Sequence, residues 1–351
     1  MNLKTSKKQI DLIIKKARVH LYKPIQIAEI LYRSRVVGDI NLEDLQTYRT
    51  QSRRWRDDIC VKFLGQTSTS SARFQDNLFE ANAVPPEAIA TLGAANRHDG
   101  AVEAYIYSAF RERQSQMTNG LDLVTRSNKA TFSLEEFIGS FRRTAGLSRS
   151  VDKIFEIIVY ALFSTILNSL NVQINLKITR NNDVLEDFSD FTEKVLGLTT
   201  ETPELQHKPQ VYRVGVTNAA DRGLDMWANF GLAIQIKHLS LTANMVDDIS
   251  SGIQADRILI VCKDCDRDTL VSVLRQFGAG GRIQSVITES ELITWYERAL
   301  RGRCADKLGD HIMTCLANEI IAEFPTTDTT GFQAFWQNRK YKLPDSSFWE
   351  Q

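Results

Sequence analysis

Residues 221–238 read Asp221-Arg-Gly-Leu-Asp225-Met-Trp-Ala-Asn-Phe-Gly231-Leu-Ala-Ile-Gln235-Ile-Lys237-His238. Two apolar-rich runs, Leu224–Trp227 and Leu232–Leu239, flank Asn229–Gly231, where asparagine and glycine suit a tight reversal. The spacing predicts two antiparallel strands turned over at Phe230, which sets Asp225 opposite Gln235. Directly paired residues hold their β-carbons about 4.5–5.5 Å apart. Strand alternation sends Gln235 and Lys237 to one face and Ile234 and Ile236 to the other, into a core. A carboxylate, an amide oxygen and an ammonium therefore converge on one spot.

Working outward, the second part of the chain reads as α/β. A strongly apolar helix over Val151–Leu170 precedes the alternating run Val172–Ile178, which has strand periodicity. Polar stretches around Asn181–Asp190 and Thr199–Gln210 separate it from further strands at Val211–Thr217, Gly231–Leu239 and Arg257–Cys262. Helical patterns follow at Asp268–Phe277 and Ser290–Arg301. The first part, to about residue 145, reads as mostly helical: Ile10, Leu12, Ile13 and Ile14, then Ile25, Ile27, Ile30 and Leu31, recur at amphipathic spacings. Asn41 ahead of Leu42–Leu45 resembles a helix start. Gln66–Arg73 reads as a loop, Pro85-Pro86 opens the next element, and Ser133 with Glu136 forms a capping-box pattern. A border near residue 145 divides the chain into 1–145 and 146–351.

The 351 residues suffice for one large domain or two medium ones. Hydrophobic and charged contents of 43% and 25% suit a soluble globular chain. The formal net charge is zero, which neither predicts nor excludes a polyanion partner. The lysine-rich start is followed only by Ile10–Ile14, too short and too charged for a signal peptide. Ile157–Leu167 is too short for a membrane span, so no membrane association is expected. Five cysteines without a regular framework fit a reducing compartment, and the bacterial cytoplasm is the expected location.

Grouped carboxylate, amide and ammonium suit phosphodiester hydrolysis, which needs a metal to polarise the phosphoryl oxygen and acidify a water. Magnesium takes oxygen ligands, few of them from protein. Asp225 supplies the charged ligand and Gln235 a neutral oxygen. Lys237 orients the attacking water and offsets charge developing on the phosphate.

The pattern Asp-x-Gly-Leu-Asp, a short turn, then Ile-Gln-Ile-Lys resembles the PD-(D/E)xK nuclease superfamily, closest to members with Gln for the middle acid. That resemblance implies a mixed-sheet core flanked by helices, with a largely helical N-terminal region used for DNA recognition or dimerisation. It also implies an acid on the helix before the core strands, and Phe155-Glu156-Ile-Ile-Val-Tyr-Ala-Leu-Phe163 makes Glu156 the candidate, a catalytic group and metal ligand beside Asp225 and Gln235. From its Met-Asn-Leu-Lys-Thr-Ser-Lys-Lys start onward, the whole chain resembles the HaeII-type type II restriction endonucleases. The resemblance implies Mg²⁺, double-stranded DNA with a purine-GCGC-pyrimidine site, a homodimer, and a functionally paired methyltransferase. Two departures stand out: Leu224 replaces the usual proline, and Gln235 removes one negative charge from the metal site.

Other residues receive plainer readings. Cys262-Lys-Asp-Cys265, with Cys304, His311 and Cys315, invites a zinc site, but no second close pair exists and Cys262 ends an apolar strand, so these read as structural. His238 points away from Lys237, and Asp221 reads as a turn or support residue. Arg53, Arg54 and Arg56 around Trp55, and Arg142 with Arg143 and Arg149, are candidate DNA contacts, since arginine reads guanine bidentately. Each is also what a solvated helix face looks like. The tail Trp336–Lys342 is equally ambiguous, because its aromatics can dock on the protein. Two other functions compete: a repair or modified-DNA nuclease on the same core, and a DNA-binding module with a decayed site.

Overall fold

The computed structural model describes residues 1–350 except 18, 69, 145–146, 148–149, 181–182, 215–223, 267, 272, 274–280 and 325–328. Asp221, Arg149 and part of the expected helix Asp268–Phe277 thus lie outside the described residues. The chain forms two units. One gathers Met1–Phe155 and Leu316–Gln351; the other gathers Glu156–Val214 and Asp221–Cys315.

The first unit is helical. Its main helices are Leu3–Lys16, Tyr22–Val36, Gln51–Leu64, Pro86–Asn96, Ala101–Thr125 and Leu134–Arg143. Local chemistry sets their ends: Asn2 Oδ1 accepts the Thr5 N–H, Pro86 occupies the first helical turn, and Ser133 Oγ accepts the Glu136 N–H at 3.2 Å. The expected helix start at Asn41 is instead a turn, because Asn41 Oδ1 captures the Glu43 N–H and only the short 3₁₀ turn Leu45–Thr47 follows.

The C-terminal segment belongs to this unit rather than to the sheet, which corrects the division at residue 145. Phe332, Phe335, Tyr341 and Trp349 are buried in the same core as Ile27, Phe63 and Tyr107. Phe335 lies 5.1 Å from Phe63 and 4.9 Å from Tyr107, ring centre to ring centre. Arg339 pairs with buried Glu29 at 2.6 Å and lies 3.5 Å above the Tyr32 ring. The ambiguous tail is therefore docked, and its arginine is committed.

The second unit carries two sheets. Strands β1 (Ile174–Lys177) and β2 (Glu204–His207) pair only with each other, antiparallel. Strands β3 (Val211–Arg213), β4 (Met226–Ala228), β5 (Leu232–Lys237), β6 (Arg257–Cys262) and β7 (Ile283–Thr288) form a mixed sheet in the order β3-β4-β5-β6-β7. The first three run antiparallel, whereas β5, β6 and β7 are parallel. The helix Ala243–Gly252 lies between β5 and β6 in the chain, and its Val246 and Ile249 pack with Ala233, Ile258 and Ile260. This is the α/β architecture expected. The polar stretches had hidden β2 and the short helical turns of 183–196, and β7 also escaped the sequence reading.

Candidate active site

The β4–β5 hairpin follows the predicted register. Met226 pairs with Ile234 and Ala228 with Leu232, so the reversal is centred on Phe230. Gly231 adopts φ +79°, the left-handed residue that closes a three-residue hairpin loop. Extending the ladder by one residue places Asp225 opposite Gln235. The side chains meet: Asp225 Oδ2 accepts a hydrogen bond from Gln235 Nε2 and another, at 2.7 Å, from the Ile236 backbone N–H. That backbone bond fixes the carboxylate against the strand instead of leaving its position to a side-chain rotamer.

β5 is central, with β4 on one side and β6 on the other, and its residues from Leu232 to Ile236 are buried. Gln235 is 3% exposed, while Asp225 and Lys237 are half-buried. In register, Gln235 faces Ile260 and Lys237 faces Cys262. Their face is apolar at its start, where Ala233 joins the Val246–Ile249 core, and polar at the carboxyl end of the strand. A cation cannot stay unsolvated in such a wall, so the half-buried position of Lys237 lets its ammonium reach water or a ligand.

Glu156 occupies a different place. Buried on the helix Val151–Ser169, it lies 4.0 Å from Arg213. Arg213 pairs with Met226, so it shares the face of Met226 and Ile234, opposite that of Asp225, Gln235 and Lys237. The structure therefore brings Asp225 and Gln235 into contact, sets Lys237 beside them, and engages Glu156 with Arg213 across the sheet.

Two features escaped the sequence reading. One is Arg213 itself, hidden in a three-residue strand. The other is the exposed stack of Tyr212 on Trp227, 4.5 Å between ring centres, on the face that carries Asp225. The alternation of Trp227 with buried Met226 and Ala228 was its only signal.

Cys262 is buried and its S–H donates to the Asp264 carbonyl at 3.3 Å; burial, with Cys265 and Asp264 nearby, pushes its pKa up to about 12. Among the described residues no group of three or more His, Cys, Asp or Glu side chains is placed to hold a metal.

The arginine candidates separate by burial. Arg56 is 1% exposed and donates to Gln26 at 3.1 Å, Gln75 at 2.7 Å and Asp57 at 2.7 Å. Its donors are spent inside the helical unit, which removes it from the DNA contacts. Arg54 and Arg143 are exposed, and Arg53 and Arg142 half-buried.

The model of the HaeII restriction endonuclease family matches residues 6–341. The chain belongs to the HaeII restriction endonuclease family. It is 50% identical over 342 residues, 97% of each chain, to the type II restriction enzyme HaeII of Haemophilus aegyptius. It is equally 50% identical over 348 residues, 98% of each chain, to the type II restriction enzyme NgoBI of Neisseria gonorrhoeae. No solved structure matches. In this family member no helix among the described residues is long and apolar enough to cross a membrane.

Proposed function

We propose that this HaeII-family endonuclease hydrolyses both strands of duplex DNA at a short palindrome, purine-GCGC-pyrimidine, from a PD-(D/E)xK core with Mg²⁺ as cofactor. The family match over nearly the whole chain supports the reaction class. The catalytic assignment is carried by one observation: Asp225 is clamped to β5 by the Ile236 N–H and the Gln235 amide, two residues before Lys237 on the same strand.

The donor set fits a hard cation. Asp225 offers carboxylate oxygens and Gln235 an amide oxygen, with no sulfur or imidazole required. When bound, Mg²⁺ would stabilise charge on the phosphate and acidify water. Asp225 and Gln235 would hold it; turning the Gln235 amide about its last bond exchanges the N–H₂ now facing Asp225 for the oxygen. Lys237 orients the attacking water and neutralises charge that develops on the phosphoryl oxygens. Glu156, held against Arg213, acts as a positioning residue for the β3 edge in this reading. The Tyr212–Trp227 stack offers a flat apolar surface to the nucleotide beside the cut.

A palindromic site calls for two copies related by a two-fold axis, and hence a homodimer. A paired methyltransferase would protect the host's own sites, in the cytoplasm of a bacterium. The test is digestion of a sequenced plasmid with Mg²⁺ and with EDTA. Discrete fragments that appear only with Mg²⁺, with ends at purine-GCGC-pyrimidine, are expected. No cutting, despite binding of duplex DNA, would favour the decayed-site module instead.

A further inference from the structure

The helix Leu3–Lys16 carries five lysines and a single acid, Asp11. Leu3, Ser6, Ile10 and Ile13 are its buried residues and hold it to the helical unit. At 3.6 residues per turn, Lys4, Thr5, Lys8, Leu12, Lys15 and Lys16 fall within an arc of roughly 120° on the opposite side. All six are exposed.

The protein itself leaves this positive stripe uncompensated. Among the described residues Lys4, Lys8, Lys15 and Lys16 have no ion-pair partner. Asp11 stands four residues before Lys15, a spacing that favours a pair. Both its oxygens are nonetheless turned elsewhere, Oδ2 to Lys7 at 2.7 Å and Oδ1 to the Tyr105 hydroxyl at 2.6 Å. Helix stability does not account for the lysines either. Lys4 stands in the first turn, where the helix dipole disfavours a cation. At the other end buried Arg113 already donates to the carbonyls of Ile14 and Ala17, both at 2.9 Å, and Lys15 and Lys16 are left to solvent.

We propose that this stripe grips the phosphate backbone of duplex DNA, as a sequence-independent anchor separate from the residues that cut. From Lys4 to Lys15 the helix face is about 16 Å long. Each DNA strand carries one phosphate per about 3.4 Å of axis, so the stripe runs past about five of them. The flexible stem and point charge of lysine suit phosphate contacts rather than bidentate reading of bases. Thr5 adds a hydroxyl donor on the same face. An anionic membrane fits less well. The stripe offers one apolar side chain, Leu12 at 39% exposed, and the helix's apolar face is buried in the core, so nothing is left to insert.

The anchor rests on the reading of the chain as an endonuclease of duplex DNA. The test is fluorescence anisotropy of the full-length protein on a labelled duplex carrying purine-GCGC-pyrimidine, in EDTA, over a salt series. The triple variant Lys4→Gln, Lys8→Gln, Lys15→Gln should bind at least ~30-fold more weakly at low salt, with a slope of log affinity against log salt shallower by about two to three. A duplex lacking the site should lose as much, since phosphates carry no sequence. The corresponding Lys→Arg triple should bind as wild type. In cleavage, the Gln triple should raise KM and keep kcat, and its thermal unfolding should not move. One readout needs no variant: saturating duplex should protect Lys4, Lys8 and Lys15 of the wild type from amine-reactive labelling. Asp225→Ala should keep the full salt slope while failing to cut, so failure of the nuclease reading appears in cleavage and failure of the anchor in the slope. An unchanged slope in the Gln triple, full labelling of these lysines on saturating DNA, or a wild type that binds no duplex would each overturn the proposal.

Discussion

Glu29 in the helical unit and Gln235 in the sheet unit are buried to the same degree, 4% and 3% exposed, yet their surroundings differ in kind. Glu29 is closed off. Both its oxygens accept from Arg339, Tyr107 donates to it as well, and Arg339 is in turn stacked on Tyr32. Burial pushes the Glu29 carboxyl upward, while the Arg339 guanidinium opposes that shift. Gln235 is different: it donates to Asp225, and Asp225 and Lys237 are both only half-buried. A network closed on itself holds a fold together; one that ends at a half-buried carboxylate and ammonium can receive a ligand.

Substitution at the sheet site should expose that difference most sharply. Asp225→Asn keeps the side-chain size and the bond to the Ile236 N–H but removes the charge. Plasmid cleavage should fall at least about 10⁴-fold, equivalent to ~5.5 kcal/mol of barrier, with DNA binding retained and little change in thermal unfolding. Lys237→Met should do the same. Cleavage at the wild-type rate by either variant would mean that the active site lies elsewhere.

The helical network should respond in the opposite sense. Arg339→Ala leaves Glu29 buried without its cation and should cost about 3–5 kcal/mol of stability, read by urea unfolding. At a temperature where the variant stays folded, its cleavage rate should match wild type. A loss of cleavage without a loss of stability would place the docked tail in catalysis.

The hairpin was legible because it is local. Its register depends on a short turn with Gly231 and on period-two alternation, and neither needs distant contacts. The Val151–Ser169 helix and β6 were legible for the same reason, as long apolar runs. What stayed hidden depends on distant chain. β2 and β7 form because another strand supplies their hydrogen bonds, and the polar sequence of β2 carries no inward face to announce it. The attachment of Leu316–Gln351 to the helical unit rests on Phe332, Phe335 and Arg339 meeting partners some three hundred residues earlier. The Glu156–Arg213 pair is likewise a product of tertiary folding, and so is the loss of Arg56 from the surface.

Gln235→Glu sharpens the comparison from inside the site. It sets two carboxylates against each other, as in the motif's commoner form, and one of them must take a raised pKa in the metal-free protein. A folded-state pKa above the unfolded value means that the native state holds the proton longer, so stability is complete at low pH and declines as pH rises above about 4. The metal-free variant should therefore lose ~1–2 kcal/mol relative to wild type at neutral pH, and added Mg²⁺ should restore more stability to it than to wild type. Denaturant midpoints at pH 4 and pH 7, each with Mg²⁺ and with EDTA, measure both effects. A variant whose stability ignores pH would show that residues 225 and 235 do not share one site.

The smallest effect separates two neighbours within the basic cluster. Arg54 is exposed, whereas Arg56, two residues on, is enclosed by Gln26, Gln75 and Asp57. If Arg54 meets a phosphate, Arg54→Ala should weaken duplex binding a few-fold at physiological salt and reduce the slope of log affinity against log salt by about one. Its unfolding curve should not move. Arg56→Ala should behave in reverse, destabilising the helical unit by about 3 kcal/mol while the folded fraction binds DNA as before. Equal salt slopes for Arg54→Ala and wild type would return Arg54 to the solvated face of its helix. Contacts beyond the lysine stripe would then have to be sought at Arg142, Arg143 or on the sheet unit itself.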